Sequence, residues 1–349
     1  MKCNMALMQS IADYTLKTAH SYTDETATEK ESRRWHRWDW SIGVGFYGVL
    51  KANNVLKNDS FVQSIKKWVD DRLEKIPGFS VNTCGVMPAV LDIAEMFGSD
   101  MYGKVIRDFD EYVANNALRT PSNTIAHSVI GSELPGEIWA DTLFMAVLYL
   151  AKRSKMLGCD TMLKEAINQL VLHVDKLYDE TTNLFFHGYD DISEKPMGTL
   201  WGRGNTWITV ATVEIMDIIG RENVPEETLN KVKAQLDALS KYQLDNGMWA
   251  TVIDHPYETY EETSITAGTA YAVLHGVQRG YFEERHLHMA EKAIGALMQN
   301  ISDEGSVQKG STGTPIKENV AAYNEIAYNV TPFTQGLALM ALNKKTPST

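Results

Sequence analysis

The chain reads as an all-α protein, an (α/α)6 toroid of six helical hairpins, on three observations. Helical periodicity dominates its 349 residues. The helical segments are of two kinds that alternate strictly along the chain. Strand alternation is confined to short connectors, and no βαβ pattern is present. The first kind is amphipathic and charged, at about 4–20, 60–76, 101–118, 159–178, 226–243 and 284–300. In FVQSIKKWVDDRLEKI, Phe61, Ile65, Trp68, Val69, Leu73 and Ile76 share one face with Lys and Asp opposite, as in a helix lying on a surface. The second kind interleaves with the first at about 42–53, 86–97, 139–153, 205–220, 264–280 and 329–343. These segments, such as IGVGFYGVLKAN and TAGTAYAVLHGV, are rich in Gly, Ala, aromatics and aliphatics, and a helix apolar nearly all round is buried. Twelve helices in this length take about 29 residues each with their connections, the scale of hairpin repeats. Gly43, Gly45, Gly48, Ala146, Gly268, Ala270 and Ala272 allow the inner helices to approach closely. Residues 1–349 are therefore expected to form one domain, with the N-terminal ends of the inner helices around a central pocket.

Composition narrows the function. Apolar residues make up 44% of the chain and charged residues 22%, ordinary values for a globular protein with a large core. Lys+Arg 33 against Asp+Glu 45 gives a net charge of −12, which argues against a nucleic-acid partner. An acidic chain still binds an anionic sugar where a few cations sit in the pocket. Cys3, Cys84 and Cys159 are far apart with no CxxC, so neither a disulfide framework nor a zinc ribbon is indicated. No apolar stretch approaches the roughly 18–20 residues of a membrane span, so no membrane partner is expected. The start, MKCNMALMQSIADYTLKTAH, has no continuous apolar h-region and reads as an amphipathic helix. The expected compartment is the cytoplasm, or the periplasm if a leader has been removed.

Five loops that enter inner helices are long and loaded with Trp, His, Arg and Asp, at 33–40, 127–141, 185–207, 247–264 and 317–329. Long loops without structure of their own are usually functional, and in a toroid these five converge on one rim. Aromatics with convergent polar groups suit a carbohydrate, whose C–H faces stack on rings. Asp141 follows Ile138, Trp139 and Ala140 and opens an apolar helix. It reads either as a first-turn acid complementing the helix dipole or as a general acid whose pKa is raised by apolar surroundings. His187, in FFHGYD, reads as a buried structural histidine or as a substrate contact. Arg203, in WGRGNTW, reads as an ordinary surface Arg or as a group that stacks and binds a carboxylate. Asp190 and Asp191 read as turn residues, and Glu261 and Glu262 as helix-start signals. The Gly/Ser/Thr run at 305–315 reads as a flexible loop. His286 and His288 face different directions on a helix, there is no phosphate-binding loop, and no metal or cofactor is expected.

Taken together, RWDWSIGVGFYGVLKA, GEIWADTLFMAVLYLAK, LFFHGYDD, WGRGNTWITVATVEIMD and GMWATVIDHPYETYEETSITAGTAYAVLHGVQRGYF resemble the unsaturated rhamnogalacturonyl hydrolases. The unsaturated glucuronyl hydrolases are more distant relatives. The stretches recur in family order from about residue 35 to 281, and the pairing of IW-x-D-TLFM with a downstream WxRGNxW is specific. The resemblance implies an (α/α)6 barrel and an enzyme that removes a 4,5-unsaturated uronic acid from the non-reducing end of lyase-generated oligosaccharides by hydrating its C4=C5 enol ether. It implies that Asp141 is the proton donor and that His187 contacts the substrate or the attacking water. Arg203 and Trp207 would hold the uronate carboxylate and ring, and Trp139 would wall the site. Trp40 stands where the family has Tyr in W-x-Y-x-x-G. No acid lies between Ser80 and Leu91, where the family has an Asp, and Asn82 is the nearest equivalent. The departure implies altered specificity with catalysis retained. Three other readings stay open: a glucuronyl hydrolase with another aglycone, a conventional inverting glycosidase with Asp39 or Glu262 as second acid, and a non-catalytic glycan-binding toroid.

Overall fold

A computed structural model describes residues 2–345. Twelve principal helices alternate between an outer and an inner layer: α1 Lys2–Ser21, α2 Trp40–Leu56, α3 Asp59–Asp70, α4 Met87–Phe97, α5 Gly103–Glu111, α6 Leu148–Leu157, α7 Asp160–Leu177, α8 Gly202–Ile219, α9 Glu226–Tyr242, α10 Thr263–Gln278, α11 Leu287–Gln299 and α12 Pro332–Lys345. Odd-numbered helices are outer and even-numbered ones inner. Each inner helix packs on the next, and α12 packs on α2, so the inner layer closes into a ring. The fold is the (α/α)6 toroid expected from the sequence.

The two kinds of helix behave as their composition dictates. In α3, Phe61, Ile65, Trp68 and Val69 are buried, and Asn58 caps the start by accepting the Ser60 amide at 3.1 Å. In α2, Trp40 through Leu50 are all buried, because both faces meet other helices. Closure depends on a contact between glycines. A Cβ on Gly48 would lie 2.3 Å from the Gly336 carbonyl oxygen, and one on Gly336 would lie 2.3 Å from that of Val44. The outer layer is tied down by polar anchors as well as apolar faces. Tyr149 of α6 donates to Asp110 of α5 at 2.6 Å, and Arg153 pairs with the same carboxylate at 2.6 Å.

The inner layer buries a charge. Glu214 of α8 accepts from Tyr47 of α2 and Tyr271 of α10 and pairs with Lys51 of α2 at 2.7 Å. Burial raises the Glu214 carboxyl, but the Lys51 charge and the hydrogen bonds to Lys51 and both tyrosines outweigh it and hold the carboxyl below its ordinary range. Of the cysteines, Cys84 and Cys159 are free, and the side chain of Cys3 lies outside the described residues.

The structure departs from the sequence reading in its connectors. Four small antiparallel sheets are present, the largest with three strands, β1 Glu137–Trp139, β2 Gly188–Asp190 and β3 Lys195–Met197. Strands of three residues are too short to register as alternation. The run at 305–315 is also not a free loop, since Ser311 and Thr312 bond into the core through Arg203.

Candidate active site

A cavity of about 850 Å³ opens at the N-terminal ends of the inner helices. The first turns and preceding residues of those helices supply its wall: Trp40 and Asp39 at α2, Asn82 ahead of α4, Asp141 ahead of α6, Trp201 and Arg203 at α8. Helix N-termini carry partial positive charge, and four inner helices turn theirs toward this wall.

The three-stranded sheet assembles the centre. Strands β1 and β2 pair with Trp139 opposite Gly188, and the Ala140 amide donates to the His187 carbonyl at 3.1 Å. The two motifs IWAD and FFHGYD, distant in sequence, are thereby placed side by side. Asp141 is 8% exposed and lines the cavity; its Oδ2 faces His187 Nε2 at 3.7 Å. Neither atom has a hydrogen-bond partner among the described residues. On the far side of the imidazole, Nδ1 lies 2.6 Å from the Tyr323 hydroxyl. An Nε2 that faces a carboxylate must carry the proton, so Nδ1 accepts and Tyr323 donates. Gly198 permits this contact: it has a φ of +75°, and a Cβ there would lie 2.4 Å from the Tyr323 oxygen.

The aromatic walls are layered. Trp139 stacks on His127 at 4.3 Å with a 5° interplanar angle and meets His187 edge-on at 5.3 Å. Trp201 lies against the other face of His187 at 4.0 Å. Trp40 stacks on Phe333 at 4.8 Å.

Burial pushes His187 down, more than its contact with Asp141 raises it, so the ring is neutral near pH 7. Burial likewise lowers His127 to about 4. Burial raises Asp141, but the His187 N–H that faces it and the Arg203 charge outweigh it and hold the carboxyl below its usual range. Of the two readings the sequence left open for its charge state, these surroundings favour the lowered one, through contacts with His187 and Arg203 that the sequence does not show. Asp39 behaves in the opposite way: burial carries it up to about 6, against the Trp40 amide and the charges of Arg34 and Arg37.

The sequence-derived candidates divide. Asp141, Trp139, Trp40, Asn82 and Arg203 line one cavity. His187 is fully buried behind Asp141 rather than on the cavity surface. Trp207 is also fully buried, beneath Trp40 at 6.1 Å and against Phe144 at 5.2 Å, so it supports the floor without lining it. Arg203 is largely committed to the protein. Its Nη1 donates to the Ser311 hydroxyl at 2.6 Å and its Nη2 to the Thr312 carbonyl at 2.8 Å, and only Nε lacks a partner among the described residues. Glu262 caps α10 by accepting the Ile265 amide at 2.9 Å and also takes the Ser311 amide at 2.7 Å. It is spent as a helix-start acid and is no second acid across the cavity. The loop at 247–264 stands behind the site through Glu262, whereas Thr314 and Pro315, from the run read as flexible, line it. His127, Trp201 and Tyr323 were not singled out as site residues. All three lie within the long loops that the sequence marks as functional, but nothing local pairs Tyr323 with His187. Among the described residues no group of three or more metal-ligating side chains is present.

A family model described as Glycosyl Hydrolase Family 88 matches residues 9–346. The chain is 30% identical over 311 residues to the unsaturated rhamnogalacturonyl hydrolase YesR of Bacillus subtilis, covering 87% of this chain and 88% of that one. Among solved structures, a possible member of the GH105 family from Klebsiella pneumoniae superposes with a TM-score of 0.89 at 28% identity, over 99% of this chain and 93% of that chain. An unsaturated glucuronyl hydrolase specific for heparin shares the fold, with a TM-score of 0.74 at 13% identity over 97% and 96% of the two chains.

Proposed function

The chain belongs to glycosyl hydrolase family 88 and is a hydrolase of glycosyl bonds, and from that premise we propose that it removes a 4,5-unsaturated uronic acid from the non-reducing end of lyase-generated oligosaccharides, with rhamnose as the sugar released. The rhamnose assignment rests on the likeness to YesR, whose name specifies a rhamnogalacturonyl substrate. The observation that carries the reading is a buried carboxyl, Asp141, at the cavity wall, backed by an imidazole and enclosed by tryptophan.

The chemistry follows from what that carboxyl can do. The substrate's C4=C5 bond is an enol ether conjugated to a carboxylate. Asp141 in its acid form gives a proton to C4, and positive charge develops at C5 and the ring oxygen. Water adds to C5 and loses a proton to the Asp141 carboxylate, so the group returns to its starting state. The C5 hemiketal opens with cleavage of the bond between C5 and the ring oxygen. This leaves a C5 ketone and a C1 hemiacetal, which expels the aglycone alcohol. One water is consumed in all. His187 donates from Nε2 toward Asp141 and holds its orientation. Asp141 starts ionised in the empty site, and an anionic substrate entering a closed cavity raises its proton affinity. Substrate binding is thereby the step that loads the acid, and kcat/KM, which follows the free enzyme, already falls as pH rises through the acidic carboxyl range.

The test is incubation with unsaturated disaccharides while following the ultraviolet absorbance of the conjugated enoate. Absorbance is expected to decay with wild-type protein and to persist with Asp141→Asn, at a rate at least about 10³-fold lower, with substrate still bound in calorimetry. Unchanged absorbance with wild-type protein across pectic and glycosaminoglycan products removes the reading. A fully active Asp141→Asn reassigns the acid.

A further inference from the structure

Beside the catalytic cavity runs a second cleft of about 370 Å³, and the two share Lys30, Arg34, Asp39, Asn82 and Val129 on their walls. The short helix Lys30–His36 and the turn after it add Arg33 and Arg37. The cleft therefore gathers four cations against one carboxylate, Asp39, in a chain whose net charge is −12. Such a concentration runs against the field of the rest of the molecule. Lys30, Arg33 and Arg37 are exposed, and none of the three makes an ion pair among the described residues; only Arg34 is paired, with Glu31 at 3.1 Å. Pro77 and the half-exposed Ile130 form an apolar side opposite the cations, a surface suited to the C–H face of a sugar. Lys30 and Arg34 also line the catalytic cavity, but the chemistry assigned there uses none of the four cations. Arg34 pairs with Glu31 and Arg33 Nε donates to the Ala27 carbonyl at 3.4 Å, but Lys30, Arg33 and Arg37 are free of ion pairs among the described residues, and Lys30 and Arg34 stand on the wall that the cleft shares with the catalytic cavity.

We propose that this cleft is an acceptor-side subsite that binds an anionic group carried by the sugars beyond the scissile bond. It rests on the reading above, because the bond broken in the cavity determines where those sugars emerge. A carboxylate on a second uronic acid and a sulfate ester present the same chemistry to a guanidinium, namely paired oxygens that accept a fork of N–H donors. The cleft thereby sets a preference for acidic oligosaccharides over the minimal disaccharide.

The experiment compares kcat/KM on three substrates with the same unsaturated end: one with a neutral aglycone, one extended by a further uronic acid and one bearing a sulfated aglycone. An anionic extension is expected to raise kcat/KM by roughly fivefold, the worth of two partly screened ion pairs, and the advantage is expected to shrink with added salt. The double variant Arg33→Gln/Arg37→Gln is expected to lose the advantage while keeping wild-type kcat/KM on the neutral substrate. Preference for the uronic acid extension identifies a carboxylate as the ligand, and preference for the sulfated one identifies a sulfate; either supports the subsite. Equal kcat/KM on all three substrates overturns the subsite and leaves the hydrolase reading intact, as does an advantage that survives in the double variant. No turnover on any of them overturns the hydrolase reading itself.

Discussion

Tyr323 is the residue on which the orientation of His187 turns. Its hydroxyl supplies the partner for Nδ1 at 2.6 Å and so places the imidazole proton on the nitrogen that faces Asp141. Tyr323→Phe keeps the ring and its packing but lets the proton move to either nitrogen. The expected result is a kcat lower by about tenfold with KM within about twofold, together with a shifted acidic limb in the pH profile. Wild-type kinetics in that variant would show that the hydroxyl positions nothing. At this scale the sequence disclosed the wall residues better than the support behind them. Asp141, Trp139, Asn82 and Trp40 sit at helix starts or in aromatic loops, and position alone marks them. Tyr323 stands 136 positions from its partner, a distance no local pattern bridges. The charge state of Asp141 was illegible for a similar reason, since the His187 N–H and the Arg203 charge that lower it are brought near only by folding.

At the scale of elements, helix type was legible because burial is written into composition. A helix surrounded by other helices cannot carry charge on most faces, and α2 carries almost none among its buried residues. Two local devices were not legible. The sheet that joins the two motifs is made of strands three residues long. The turn Leu143–Val147 is π-helical rather than α-helical, which inserts a wider turn directly after Asp141 and changes its angle to the stripe below. The meeting of α2 and α12 gives the sharpest prediction for an element. Neither Gly48 nor Gly336 has room for a methyl group, and the atoms in the way are backbone. Gly336→Ala is expected to lower stability by at least about 2 kcal/mol, read as a lower urea midpoint with an unchanged slope. An equally stable variant would mean the ring tolerates a wider spacing there.

For the molecule as a whole, buried titratable groups place the vulnerable side at low pH. Burial lowers His127 and His173 to about 4 each, whereas in an unfolded chain they accept protons near the ordinary histidine range. The unfolded state therefore binds more protons below that range, and stability falls as the pH is lowered from there toward about 4, by up to about 1.4 kcal/mol per pH unit for each histidine. Glu214 acts in the same direction. Its carboxyl is depressed in the fold, so its contribution is present above the ordinary glutamate range and is lost as pH falls through and below it. Urea unfolding at about pH 7, 6 and 5 is expected to show a steady decline, and a flat profile would contradict the burial of the two histidines. Closure of the ring has a last consequence. The carboxyl that would do the chemistry is aligned through an imidazole whose partner, Tyr323, arrives in the final loop, and the wall behind it is completed by α12. Synthesis must pass Tyr323 and α12 before the catalytic geometry exists. Turnover would then certify that both are in place: a product truncated before Tyr323 could display most of the cleft and still be silent.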